Sequence, residues 1–136
     1  MSDFYLPMIK AVIAKLKATS GVTNLVSTRI YTDVPQKEVF PYIVVSADAG
    51  DFSTQGIIGQ QFSVQFDVYD RGKSPKGNGD IRAAVFNTLN RLDDNLSLDS
   101  GGVVSVNYQT SAMYKEPDGV TWHGVLVLNI TVMENS

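Results

Sequence analysis

Cysteine is missing from this chain altogether. Its absence excludes a disulfide scaffold, a thiolate metal site and a cysteine nucleophile. Histidine is nearly missing too: His123 stands alone, so a histidine-based metal cluster is excluded. Charge is sparse, at 18% of residues, and it leans acidic: 11 Lys and Arg against 14 Asp and Glu, for a net −3. A dedicated nucleic-acid binder carries a basic surplus, which this chain lacks. No apolar run approaches the roughly 20 residues of a membrane span. The opening Met1-Ser2-Asp3-Phe4 has neither the basic start nor the apolar stretch of a secretory signal. The expectation is a soluble, cytoplasmic protein with no membrane partner.

What is present is enough apolar material for a core. Hydrophobic residues make up 43% of 136 residues, the size of one ordinary domain. We therefore expect a single domain over residues 1–136 that folds without staples. Ile9, Val12, Ile13 and Leu16 recur at helical spacing, with Lys10, Lys15 and Lys17 largely on the other side. This predicts a helix from about Asp3 to Ala18, with Asp3 as N-cap and Gly21 as a left-handed stop. Val22 to Val26 reads as a short extra turn, and Arg29 to Val34 as a brief extended piece that Pro35 interrupts.

Tyr42 to Ser46 is apolar on both faces and reads as a strand covered on both sides. Asp48 to Gly59 is polar and glycine-bearing, either a mobile loop or an extended hairpin arm. The clearest signal follows. Phe62, Val64, Phe66 and Val68 alternate with Gln61, Ser63, Gln65 and Asp67, the pattern of a strand with one face on the core. A second helix is predicted over about Gly79 to Leu92, capped by Asn78, with Ile81, Val85, Phe86, Leu89 and Leu92 as its stripe. Leu96-Ser97-Leu98 reads as a short strand, and Val103 to Thr110 and Thr121 to Val132 as longer ones. Glu116-Pro117-Asp118-Gly119 between them is a turn: proline presets φ and Asp-Gly tolerates positive φ. The predicted fold is α+β: an antiparallel sheet of about four strands with both helices on one face.

Reactive constellations are not evident. A Ser-His-Asp triad needs a histidine oriented by a third group. Asp67 and Asp118 can be named as orienters of His123, but nothing in the spacing supports either. Packing or hydrogen bonding beside Trp122 is the plainer role for His123. Asp93-Asp94, and Asp48 near Asp51, sit in polar contexts that suit capping and solvation. Gly72-Lys73-Ser74 resembles the end of a phosphate-binding loop, but that pattern requires glycine where this chain has Asp67. No cofactor and no metal are expected.

Two segments point to partners. Arg71, Lys73 and Lys76 form a small basic loop, read either as a contact for an acidic neighbour or passing DNA, or as solvated surface. Ile57 and Ile58 lie between glycines in a polar stretch, read either as a partner contact or as the start of the next strand tucked into the core. The polar face of Gln61, Ser63, Gln65 and Asp67 is either plain surface, an interface or a channel lining.

The ordered set of motifs adds a resemblance. Arg29-Ile30-Tyr31 with Val34-Pro35, then Phe40-Pro41-Tyr42-Ile43-Val44-Val45, resembles the opening of the phage tail-completion family. Leu89-Asn90-Arg91-Leu92, Leu96-Ser97-Leu98 and the Gly101-Gly102 turn continue it. Glu116-Pro117-Asp118-Gly119 with Thr121-Trp122-His123-Gly124-Val125-Leu126 ends it. The likeness runs from about Met8 to Val132. It implies a structural tail-terminator subunit without catalytic residues, one that forms a hexameric ring capping the tail tube and joins the tail to the head connector. Implied partners are further copies of itself, the tail tube protein and a connector or stopper protein, with DNA only as passing cargo. The implied location is the virion, and the host cytoplasm during assembly. A head-completion or stopper protein is the nearest alternative, and a small enzyme or ligand-binding domain a more distant one.

Overall fold

The computed structural model describes residues 4–34, 36–37, 39–54, 57–90 and 103–133; for residues 49–54, 57–58, 103–104 and 133 it describes the backbone alone. The elements run α1 (Tyr5–Lys17), α2 (Ser20–Val26), β1 (Ile30–Tyr31), β2 (Tyr42–Thr54), β3 (Ile57–Asp70), α3 (Lys76–Leu89), β4 (Val103–Lys115) and β5 (Trp122–Met133). The α+β class stands, with two corrections. The sheet has five strands in the order β1-β2-β3-β5-β4, and the described residues form three helices. The sheet is mixed, because β1 pairs parallel with β2 while every other pair is antiparallel. A two-residue strand carries too little pattern for its direction to be read from the chain.

The helices form where apolar spacing matches 3.6 residues per turn, and their stripes face the sheet. α1 buries Met8, Ile9, Val12 and Leu16; its N-cap is Phe4, with no capping side chain, rather than Asp3. The expected extra turn is a seven-residue helix, α2, which buries Val22 and Val26. Gly21 lies inside α2 and does not stop α1. The residue with positive φ here is Ser27, at φ 56°, just after α2. α3 begins three residues earlier than predicted, with Pro75 as N-cap. Proline tolerates a helix start because that position needs no N–H donor. Asn78 is then too deep in the first turn to cap, and its side chain is fully buried against the sheet.

The polar stretch after Tyr42 is the hairpin arm and not a loop. β2 and β3 stay in continuous register from Tyr42↔Tyr69 to Thr54↔Ile57. Ile43 and Val45 of β2, Phe62, Val64, Phe66 and Val68 of β3, and Leu126, Leu128, Ile130 and Val132 of β5 join the helices in one core. In β4 a bulge between Tyr108 and Thr110 resets the alternation, so the face expected of Tyr108 is continued by Ser111 and Met113. Leu96-Ser97-Leu98, Asp93-Asp94, Leu92 and Gly101-Gly102 lie outside the described residues.

Candidate functional site

All the helices pack on one side of the sheet, and the other side carries a row of rings. Residues of equal parity on paired strands share a face, so register alone lines up side chains far apart in sequence. Tyr42 pairs with Tyr69, Tyr69 with His123 and His123 with Tyr114, one residue from each of β2, β3, β5 and β4. Tyr42 and Tyr69 stack at 5.0 Å, Tyr69 and His123 at 4.3 Å, and Tyr114 tilts against His123 at 4.8 Å. Such stacking holds neighbouring strands in register beyond what area burial supplies.

His123 is buried, at 8% exposure, and both its nitrogens meet carboxylates. Nε2 lies 2.7 Å from Asp67 Oδ1 and Nδ1 lies 2.8 Å from Glu116 Oε1. The Tyr114 hydroxyl also reaches Nδ1, at 2.7 Å. A ring protonated on both nitrogens serves both carboxylates, whereas a neutral ring has one N–H and serves one. Asp67 is thus brought to His123, a contact its spacing did not suggest, and Glu116 is a partner the sequence reading missed. Asp118 does not join them. The hydroxyl that reaches the ring is a phenol already in hydrogen-bond contact, and neither ring nitrogen is free to accept a proton from a nucleophile. The arrangement acts as a clamp: it ties β5 to β3 through Asp67 and to the β4–β5 turn through Glu116.

That turn forms as its sequence predicts. Gly119 takes φ +78°, its N–H donates to the Glu116 carbonyl at 3.0 Å, and the Glu116 N–H donates to the Thr121 carbonyl at 2.8 Å. The Asp118 carboxylate accepts from the Thr121 hydroxyl at 2.6 Å and from the Val120 and Thr121 N–H groups, both at 2.9 Å. These bonds, the hydroxyl foremost, pull its pKa down to about 2, and Arg71 at 3.6 Å adds a smaller share.

Beside the turn a cleft of about 360 Å³ opens, walled by Phe40, Tyr42 and Tyr69 and rimmed by Arg71, Glu116 and Asp118. Arg71 lies 4.2 Å over the Phe40 ring and donates to the Thr121 hydroxyl at 3.0 Å. Val34, Val39 and Val120 are exposed around it. The Phe40–Pro41 peptide bond is cis. The cleft joins the Val34 to Tyr42 segment with the Glu116 to Thr121 segment, which the sequence separates by most of the chain.

The basic loop does not act as one patch. Arg71 turns into the cleft, Lys73 is exposed, and Lys76 pairs with Asp80 one helical turn on, at 2.8 Å. The bond to Asp80 raises the Lys76 pKa. Ile57 and Ile58 pair through their backbones with Thr54 and Ser53 at the outer end of the hairpin arm; their side chains lie outside the described residues. Among the described residues no helix is long and apolar enough to cross a membrane, and no group of three or more His, Asp or Glu is placed to hold a metal ion.

A small mixed sheet with helices on one side, a ring-lined opposite face and no described reactive group defines a structural α+β protein. The family model described as "Tail completion protein gp17" matches residues 10–133, and the chain belongs to that family of structural phage proteins. A comparison with curated proteins finds no match. Among solved structures, a chain from the "Virion of native gene transfer agent (GTA) particle" is similar at 21% identity, with a TM-score of 0.77. The match covers 91% of this chain and 92% of that one. At that identity the likeness shows a shared fold.

Proposed function

We propose that this tail-completion protein is a tail terminator, a subunit of a hexameric ring that caps the tail tube and meets the head connector. Family membership supports the tail-completion role, and the similar chain in a gene-transfer-agent virion agrees with a place in the particle. The observation that supports a ring is a sheet left open on both sides. β4 is an edge strand along its whole 13 residues. On the far side, β1 covers β2 only at Ile43 and Val44, so most of the 13-residue β2 has an open edge. Long unpaired edges are a liability in a monomer and a template for pairing in an assembly. Two unlike edges on opposite sides suit a head-to-tail contact, which closes into a ring when the rotation per subunit permits.

The helix-free face suits a lumen. Across β2 to β5 the only Lys or Arg is Lys115, and Gln61, Ser63, Gln65 and Asp67 lie along β3. DNA phosphates passing such a face find almost no cation to bind. The partners that follow are further copies of this chain, the tube protein and a connector or stopper protein, with DNA as cargo. Ile57, Ile58, Arg71, Lys73 and Lys76 remain the proposed interface residues. Immunogold labelling of purified particles in negative stain tests the reading. Label at the head-proximal end of free tails is expected. Label on DNA-filled heads that lack tails assigns a stopper role instead, and label on neither defeats both.

A further inference from the structure

The helix layer stops short of β4. α3 packs over β3 and β5, and between α3 and β4 a groove of about 250 Å³ remains. Its apolar walls are Phe86, Tyr108 and Leu126, and Arg82 lies in it. Tyr108 meets Phe86 edge-on at 5.7 Å and is still 54% exposed. Arg82 is half-buried, and its partners are all neutral. Nε donates to Asn78 Oδ1 at 2.9 Å, Nη1 to Ser111 Oγ at 2.6 Å and Nη2 approaches Met113 Sδ at 3.7 Å. Among the described residues no carboxylate reaches it. Burial without a counter-charge lowers its pKa. A half-desolvated guanidinium with a planar fork is the group best suited to a carboxylate, and this one has none.

The open edges are complementary in charge. β4 has no acidic residue and ends in Lys115. β2 has no basic residue and carries Asp48 and Asp51, with Asp48 exposed.

We propose that the groove between α3 and β4 receives the acidic outer edge of β2 from a second copy of the chain, with Arg82 taking its carboxylate. The proposal rests on the ring reading and names the surfaces that meet. Strand addition at β4 satisfies the unpaired backbone groups, and the guanidinium sets register by accepting a charged side chain at one position. An edge of neutral residues would pair equally well in several registers, whereas a single buried charge contact favours one.

The test uses the full chain, labelled with nitrogen-15, and an end-blocked peptide Val-Ser-Ala-Asp-Ala-Gly-Asp-Phe-Ser-Thr, which is the sequence of residues 45–54. Addition of peptide is expected to shift the Arg82 Nε–H resonance and the β4 amides from Tyr108 to Met113, with saturation. The peptide with both aspartates replaced by asparagine is expected to bind at least about tenfold more weakly, since a truncated desolvated charge pair loses that much or more. Arg82→Gln should weaken the acidic peptide to the level of the asparagine peptide, and Arg82→Lys should recover part of the loss. Equal binding of the two peptides to the unaltered chain overturns the proposal without appeal to any protein variant. So does the absence of shifts at Arg82 and β4 up to the peptide's solubility limit. Loss of label from tail ends with peptide binding intact sinks the ring reading alone; the converse sinks the groove alone.

Discussion

Gly124→Ala is the smallest change that should damage this fold severely. Gly124 lies in β5 between Val68 and Met113, on the side that α3 packs against. A Cβ built there overlaps Asn78 Oδ1 and comes within 2.7 Å of Arg82 Nε and 2.8 Å of Arg82 Cδ. Asn78 cannot step aside cheaply. It is fully buried, and its amide nitrogen donates to the Val68 carbonyl at 2.9 Å and to the Trp122 carbonyl at 3.3 Å. Its oxygen accepts from Arg82 Nε at 2.9 Å. Overpacking a filled site costs about 1–3 kcal/mol. Stranding a buried polar group costs about 1–3 kcal/mol more. The lower conformational entropy of alanine in the unfolded chain returns less than about 1 kcal/mol. A net loss of about 2–5 kcal/mol is expected, a large share of a domain's usual margin of about 5–15 kcal/mol. Urea denaturation followed by circular dichroism measures it. The cycle with Asn78→Ala sharpens the result: with the amide gone the new methyl has room, so the double variant should lose at least about 1 kcal/mol less than the sum of the singles. A Gly124→Ala loss below about 1 kcal/mol, or strict additivity, would show that the two side chains do not compete for this space.

His123→Ala removes the ring between Asp67 and Glu116 and is expected to cost about 1–3 kcal/mol in urea denaturation; at permissive temperature tail joining should persist, and its loss in folded protein would point to a role beyond clamping. Asp118 titrates at about 2 in the folded chain against an ordinary 3.8, so its share of stability is present above 3.8 and disappears as pH falls toward 2. The stability gap between the unaltered chain and Asp118→Asn should therefore be constant near neutrality and shrink across that window; a constant gap would remove the turn's hydrogen bonds as its cause. Replacing both Ile57 and Ile58 with Asp should impair joining of heads and tails in a complementation assay while the circular dichroism spectrum and melting temperature stay unchanged. Unfolding on that change would assign the two residues to the subunit's own core.

Much of the fold was legible along the chain, because helix and strand periods are local properties. The Phe62 to Val68 alternation names the buried face of β3 without any partner strand. The Glu116 to Gly119 turn is legible for the same reason, since proline and Asp-Gly restrict φ wherever they stand. α2 was underread because seven residues with two apolar positions scarcely define a period. The start of α3 was misplaced because Asn78 suits a cap by propensity, and only its burial under β5 shows the side chain used elsewhere. The site itself was hidden. That His123 touches Asp67 depends on β3 and β5 pairing one way, with Tyr69 opposite His123; a one-residue slip would turn the ring away. The uncompensated state of Arg82 and the need for glycine at 124 are likewise properties of how α3 lies on the sheet. By itself the sequence determined the class of fold, the core faces, the turn and the family. The tertiary structure alone decided which polar groups meet and which sheet edges stay open, because both depend on strand register and helix placement between residues distant in the chain.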